Sequence, residues 1–546
     1  MDNFNLAILN ERLAEKIPER ECLVFGDLRL TYAAVAERSR RLADYLRQRG
    51  LGKTSDRSQL PGWSSGQDHV ALYLMNGNEY IEGMLGSFKS RTVPINVNYR
   101  YVEEELIYLL RDARARAVIY HSRFAESLAK VLPETPGLEV LIQVADESAA
   151  DLLPGAIWYD KALEAGSPAP LSDEPQADDL YALYTGGTTG MPKGVLWRQH
   201  DIFMAAMGGR RRDGSGFVAD HRELLETAEN EGMRVLAAPP FMHGAGHWLA
   251  FITLHGGGTL LIQNVVDRLD PHDLLATIER EKVNLIVIVG DAFGRPLLDA
   301  IREGDYDLSS LFAVANGGAP LSVTVKEALL EELPHALIMD GIGSSETGQQ
   351  GMHTSSRDGG AATGQFTPVE DTCVVDEDLE VLLKPGSDEV GWFAKAGHVP
   401  LGYLDDEAKT RKTFPEIDGR RYAVPGDRAR HLADGTVEVL GRDSVTINSG
   451  GEKIFAEEVE QALLAHPAVY DAVVAGRKSL RWGQEVVAVV QLKKGAEAST
   501  ESLLEECSRH IARYKLPKDF VFSDAIQRSP SGKADYRWAR ALVGDN

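Results

Sequence analysis

Tyr184-Thr185-Gly186-Gly187-Thr188-Thr189-Gly190-Met191-Pro192-Lys193-Gly194 constrains the chain more than any other stretch. Its glycines let the backbone approach a ligand closely and adopt positive φ. Its threonines offer hydroxyls, and Lys193 adds a point charge suited to phosphate. The stretch is not a P-loop: Pro192 precedes the lysine and no Ser or Thr follows it. By composition alone it reads equally well as a Gly/Thr-rich turn carrying one solvated lysine. The surrounding sequence therefore decides.

On both sides of this stretch, from about residue 28 to 345, short β-rich runs alternate with helical patterns. The runs are Val70–Met75, Ala117–Tyr120, Thr259–Ile262 and Leu285–Val289. Apolar spacing near 3.6 marks Tyr32–Arg49, Glu103–Ala113, Asp273–Glu281 and Val323–Glu332. That alternation predicts α/β layers with largely parallel sheets. From about 368 to 440 the pattern becomes short strands, Cys373–Val375, Leu379–Leu383 and Val437–Leu440. Turns at Pro385-Gly386 and Asp434-Gly435 separate them, which predicts a small antiparallel unit. A compact α+β segment follows. Its helices are expected at Ala456–Leu464 and Ser502–Ile511, and its strands at Ala472–Ala475 and Val486–Gln491. The Ser/Gly/Gln-rich Lys53–Asp68 reads as an exposed loop.

With 546 residues, the chain predicts at least two domains. A formal net charge of −24 argues against a nucleic-acid partner, which would need a basic surface. It does not exclude phosphate ligands, which need only local positive charge and oriented amides. Cys22, Cys373 and Cys507 lie far apart without metal-ligand spacing, as in a reducing compartment. The polar start shows no signal peptide, and no apolar run is long enough for a membrane span; the expectation is a cytoplasmic protein.

The T-G-G-T-T-G-x-P-K-G run resembles the phosphate loop of the acyl-adenylate-forming enzymes. That superfamily includes acyl-CoA synthetases, luciferases and peptide-synthetase adenylation domains. Further motifs occur in the family's order along nearly the whole chain. Asp340-Gly341-Ile342-Gly343-Ser344-Ser345-Glu346 resembles the D-x-Y-G-x-T-E segment. A carboxylate beside phosphates needs a metal between them, so Glu346 is implied as a Mg²⁺ ligand with the Thr185 hydroxyl near the ion. Asp340, Gly341 and Ser345 are implied nucleotide contacts. Ile342 replaces the aromatic that commonly stacks on adenine. Asn316-Gly317-Gly318-Ala319-Pro320 is similar to the adenine wall, which brings in Gly318, Ala319 and Pro320. Asp427 matches the ribose-binding aspartate, and Arg442 the arginine that contacts the ribose. Ser444 stands at the hinge position. Ser449-Gly450-Gly451-Glu452 is similar to the loop presented to the pantetheine arm, and Lys453 stands where some relatives carry a gating tryptophan. Gln527-Arg528-Ser529-Pro530-Ser531-Gly532-Lys533 resembles the family ending whose lysine serves adenylation.

The resemblance implies a layered α/β domain over 1–442 with a small β-barrel-like unit, and a mobile α+β domain over 443–546. It implies an ATP-dependent acyl-CoA synthetase using Mg²⁺ and coenzyme A. Lys533, Glu346 and Lys193 would be catalytic. Thr185, Gly186, Gly187, Thr188, Thr189, Gly190, Gly450 and Gly451 would be further cofactor contacts. His243, Gly244 and His247, in Pro239–Trp248, resemble the acyl-pocket segment. Small residues there leave room for a medium, long or bulky acid. The phrases at 290–297, 445–453 and 531–539 resemble bacterial ligases for sterol side-chain acids. Arg210-Arg211-Arg212 could meet a CoA phosphate or a lipid surface, or be a solvated face. The alternatives are an acyl-AMP ligase loading a carrier protein and a non-catalytic nucleotide-binding homologue. Homo-oligomerisation stays open.

Overall fold

The structure, a computed structural model, describes residues 3–170, 173–187, 190–211, 213–230, 232–449, 452–529 and 532–544. Helix Tyr32–Gln48 shows how the pattern becomes structure. Thr31 caps it by accepting from the Ala34 amide, and Tyr32, Val35, Ala36, Ser39, Leu42, Ala43 and Leu46 form its buried face.

One five-stranded sheet is parallel throughout, in the order Val93–Asn96, His69–Tyr73, Ala115–His121, Val140–Val144, Ala156–Trp158. A thirteen-stranded sheet holds a second parallel array, Leu337–Ser344, Ala313–Gly317, Leu285–Ile288, Arg234–Ala237, Thr259–Ile262 and Glu21–Phe25. The central strands of both arrays are buried on both faces, which explains their unbroken Val/Ile/Leu runs.

The antiparallel unit expected after residue 368 extends this larger sheet. Gly348–Ser355 folds back on Leu337–Ser344, and Gln365–Pro368 then Val437–Arg442 add beyond it. Leu379–Leu383 is not a strand. Leu379 takes φ 59, and Leu382 makes only an isolated bridge to Val375. The Asp376 carboxylate accepts from the Glu380 and Val381 amides and so closes a turn where the apolar spacing suggested extension.

A three-stranded antiparallel sheet holds Leu180–Gly187, Gly190–Arg198 and Gly402–Tyr403. The C-terminal segment forms its own five-stranded sheet around Val469–Ser479 and Gly483–Leu492. Helices Ala456–Leu464 and Thr500–His510 cover it over a separate apolar core. Among the described residues no helix is long and apolar enough to cross a membrane.

Candidate active site

The glycine-threonine stretch closes the hairpin between Leu180–Gly187 and Gly190–Arg198, with Thr185 opposite Lys193 and Gly187 opposite Gly190. Thr188 and Thr189 at its tip lie outside the described residues. Asn96 anchors its root. It accepts from the Tyr184 amide at 2.7 Å and donates to the carbonyls of Tyr184 and Met242, each at 2.8 Å. One buried amide thus ties the hairpin to the segment carrying His243. The Lys193 ammonium lies 3.7 Å from Asp112 and 3.8 Å from Asp406. Burial works against its charge, but Tyr108 and the two carboxylates outweigh it and raise its pKa.

The turn joining Leu337–Ser344 to Gly348–Ser355 presents Ser345 and Glu346. Ser344 Oγ accepts from the Glu346 amide at 3.2 Å, and the Ser345 carbonyl accepts from Trp197 Nε1 at 3.0 Å. Tyr403 donates its hydroxyl to Glu346 Oε1 at 2.7 Å. Among the described residues Oε2 has no protein partner. That free carboxylate oxygen follows Ser345, which lines the cavity as Thr185 does, and carboxylate and hydroxyl oxygens are the hard donors that suit Mg²⁺.

Asp340 does not join this group. Its carboxylate makes a buried ion pair with Lys326 at 2.7 Å and accepts from Asn316 Nδ2 at 2.9 Å. The Asn316 side chain also bonds the Gly290 amide, so this network braces the strand ends behind the site. Gly318 and Gly341 line the cavity, whereas Ala319 and Pro320 do not. The Pro320 carbonyl instead accepts from the Asp291 amide.

Asp427 and Arg442 face each other across adjacent strands, 3.3 Å apart. Lys533 reaches toward them from the C-terminal segment. Its amide donates to Ser529 Oγ at 3.2 Å and its carbonyl accepts from the Ser529 amide at 2.8 Å. At Gly532, φ is +72 and a Cβ would come within 3.0 Å of the Val289 carbonyl; only glycine permits this turn against the large sheet. Lys533 lines the cavity and remains exposed within it. Desolvation and the Arg442 charge lower its pKa, while Glu346 and Asp427 oppose them.

The cavity that Lys533, Thr185 and Ser345 line measures about 1770 Å³, larger than the roughly 300–1,000 Å³ of ordinary small-molecule sites. His243, Gly244, Ala245, Trp248, Ile342 and Ser345 line it. Burial, and then the Lys533 charge, push His243 down to about 3, so it is neutral at physiological pH.

His247 was expected in the pocket but is 1% exposed and does not line it. Its Nδ1 bonds the Phe241 carbonyl at 2.7 Å, which fixes that nitrogen as the donor. Nε2 then accepts from the Tyr181 hydroxyl at 2.5 Å, and Tyr181 accepts from Trp248 Nε1 at 2.9 Å. His247 therefore holds the tryptophan that forms the wall.

Of the three arginines, Arg210 and Arg211 both line the cavity, Arg211 while tied to Glu223 at 2.9 Å; Arg212 lies outside the described residues. Gly450 and Gly451 also lie outside them. Lys453 sits 3.6 Å from Glu377, and the Ser444 carbonyl accepts from Arg540 at 3.1 Å. Sequence reasoning missed Asn96, Tyr181, Trp248 and Tyr403. Trp248 closed a quoted segment and could have been weighed; the others sit in strand-like contexts with no distinguishing spacing.

A large cavity lined by residues of both segments of the chain, with Lys533 entering from the second, is what this geometry defines. Residues 10–391 match the family model for AMP-binding enzymes, and residues 458–533 match that for the AMP-binding enzyme C-terminal domain. The chain belongs to the AMP-binding enzyme family. It is 55% identical over 538 residues to a medium-chain acyl-CoA ligase of Mycobacterium avium, covering 98% of both chains. It is 42% identical over 549 residues to a 3-oxocholest-4-en-26-oate CoA ligase of Rhodococcus rhodochrous, covering 99% of this chain and 96% of that one. Its fold matches a crystal structure of an anthranilate CoA ligase in complex with anthranoyl-AMP. The TM-score is 0.82 at 22% identity, covering 99% of this chain and 97% of the other.

Proposed function

We infer that the protein is an ATP-dependent, AMP-forming acyl-CoA ligase. The observation that carries this reading is Lys533, brought by the C-terminal segment into the cavity that Thr185 and Ser345 line, with Glu346, Asp427 and Arg442 as its charged neighbours.

In the first half-reaction a substrate carboxylate attacks the α-phosphorus of ATP and pyrophosphate leaves. Two anions must meet, so charge neutralisation is the main catalytic requirement. Lys533 supplies a mobile positive charge at the developing phosphorane, and the hairpin with Lys193 holds the outgoing phosphates. Asp427, oriented by Arg442, accepts from the ribose hydroxyls. Glu346 and Thr185 would hold Mg²⁺, which neutralises phosphate charge when bound. In the second half-reaction the CoA thiol attacks the acyl carbon and AMP leaves. A thiol of pKa near 8.5 is partly thiolate at neutral pH, so the step needs no protein nucleophile. We assign the pivot between the two steps to Arg442–Ser444, separating residues 1–442 from 443–546. The supply of ATP and CoA favours the cytoplasm.

The acid is a medium- or long-chain fatty acid or a steroid side-chain acid. The cavity volume supports this, as do the substrates named for the bacterial relatives. The test is AMP and pyrophosphate formation across an acid panel with Mg²⁺, with and without CoA. Acid-dependent AMP, with thioester only when CoA is present, is expected. ADP in place of AMP would overturn the reading. Thioester formation on a carrier protein but not on CoA would replace it with carrier loading.

A further inference from the structure

A second ammonium, that of Lys409, stands beside the hairpin that carries Lys193. Helix Glu407–Thr413 holds it, and the Asp406 side chain caps that helix by accepting from the Lys409 amide at 3.0 Å. The other oxygen of Asp406 lies 3.8 Å from the Lys193 ammonium. Strand Gly402–Tyr403, just before the helix, pairs with the hairpin so that Tyr403 stands opposite Val195. Residues two apart on a strand, and residues opposite each other across a ladder, share a face. Tyr403 and Lys193 are therefore on one side of that sheet. The Lys409 ammonium lies over the Tyr403 ring, 4.0 Å from its centroid, and the hydroxyl of the same ring donates to Glu346 at 2.7 Å. These contacts place Lys409 next to both the lysine of the hairpin and the carboxylate of the turn.

The charges around it are unequally spent. Lys193 lies 3.7 Å from Asp112 as well as near Asp406, so two carboxylates answer its single charge. Asp405 pairs with Arg114 at 2.7 Å, Glu407 pairs with Arg411 at 2.8 Å, and Glu346 takes the Tyr403 hydroxyl. Lys409 is exposed and forms no ion pair with any carboxylate among the described residues. Desolvation lowers its pKa, Glu346 and Asp406 oppose that, and Lys193 adds to it. Lys193 and Lys409 against Asp112, Asp406 and Glu346 leave the cluster one negative charge before Mg²⁺. A polyphosphate bound there needs every cation whose charge is not already taken up. Lys409 is such a cation, and a compact ammonium on a mobile stem suits a phosphate oxygen.

We propose that Lys409 is a catalytic residue that binds the pyrophosphate portion of ATP, and then the departing pyrophosphate, alongside Lys193. The inference rests on the ligase reading above and adds a residue that lies outside every motif of that reading.

The test follows pyrophosphate on the full-length protein. Run in reverse, preformed acyl-adenylate and pyrophosphate with saturating Mg²⁺ make ATP, and the half-saturating pyrophosphate is measured. Lys409→Met keeps the stem over Tyr403 and removes the charge. It should raise that concentration on the order of 10-fold, the low end for a hydrogen bond to a charged group, as suits an exposed ammonium. Lys409→Arg should restore most of the loss. Thioester formation from preformed acyl-adenylate and CoA involves no pyrophosphate, and in Lys409→Met it should stay at the wild-type rate. An unchanged half-saturating pyrophosphate in Lys409→Met overturns this inference and leaves the ligase reading standing. So does an equal loss in thioester formation, which marks a structural role. A shift confined to the Mg²⁺ dependence also overturns it, and assigns Lys409 to Glu346 through Tyr403. If the wild type makes neither ATP from acyl-adenylate and pyrophosphate nor thioester from acyl-adenylate and CoA, both readings fall.

Discussion

Tyr403 and His243 show how single side chains tune the site by what they do to their neighbours. Tyr403 donates to one oxygen of Glu346 and leaves the other without a partner among the described residues. Tyr403→Phe should therefore weaken the apparent Mg²⁺ affinity on the order of 10-fold, the usual effect of removing a partner that orients a metal ligand. A Mg²⁺ titration of AMP formation measures it, and an unchanged half-saturation point would argue against Glu346 as a ligand. His243 gives a pH prediction with a definite sign. Its folded pKa is depressed from about 6.5 to about 3, chiefly by burial. Its contribution to stability is thus fully present above pH 6.5 and is lost as pH falls toward 3. The wild type should lose up to about 1.4 kcal/mol per pH unit through this group in that window. His243→Gln should lose less between pH 6.5 and 5, read from denaturant midpoints. Identical acid sensitivity would mean that His243 is not held neutral.

At the scale of elements, the acyl wall depends on a buried relay. Helix Gly244–His255 carries both His247 and Trp248, and strand Leu180–Gly187 supplies Tyr181, so the indole is fixed from two elements. Tyr181→Phe removes one hydroxyl that both donates to His247 and accepts from Trp248. Its discrimination between long and short acids, measured as a ratio of kcat/KM, should fall on the order of 10-fold. Unaltered selectivity would show that Trp248 keeps its place without the relay. The elements themselves were largely legible in the sequence. Thr259–Ile262, Val323–Glu332 and Ala456–Leu464 have the bounds that periodicity predicts, because local pattern and burial agree there. Leu379–Leu383 was not legible, because an aspartate side chain offered the backbone a turn instead of a ladder. The site was legible where its chemistry is written in contiguous motifs, as around Thr185, Glu346 and Lys533. Asp340 and His247 sit within such motifs, yet they spend their polar groups on Lys326 and Tyr181. The direction of a side chain from its strand or helix decides this, and a string of letters does not contain it.

The whole molecule presents one arrangement of its C-terminal segment, and the proposed two-step reaction calls for a second. The C-terminal segment is turned so that Lys533 faces the phosphate side of the cavity and Gly532 packs on Val289. On the proposed function this is the arrangement for adenylation, and we propose that thioester formation requires the lysine to leave. The most direct test measures both half-reactions in Lys533→Ala. Adenylation should fall on the order of 10²–10³, the usual cost of one preorganised electrostatic donor. Given preformed acyl-adenylate and CoA, the folded variant should make thioester at close to the wild-type rate. Equal loss in both half-reactions would contradict the account.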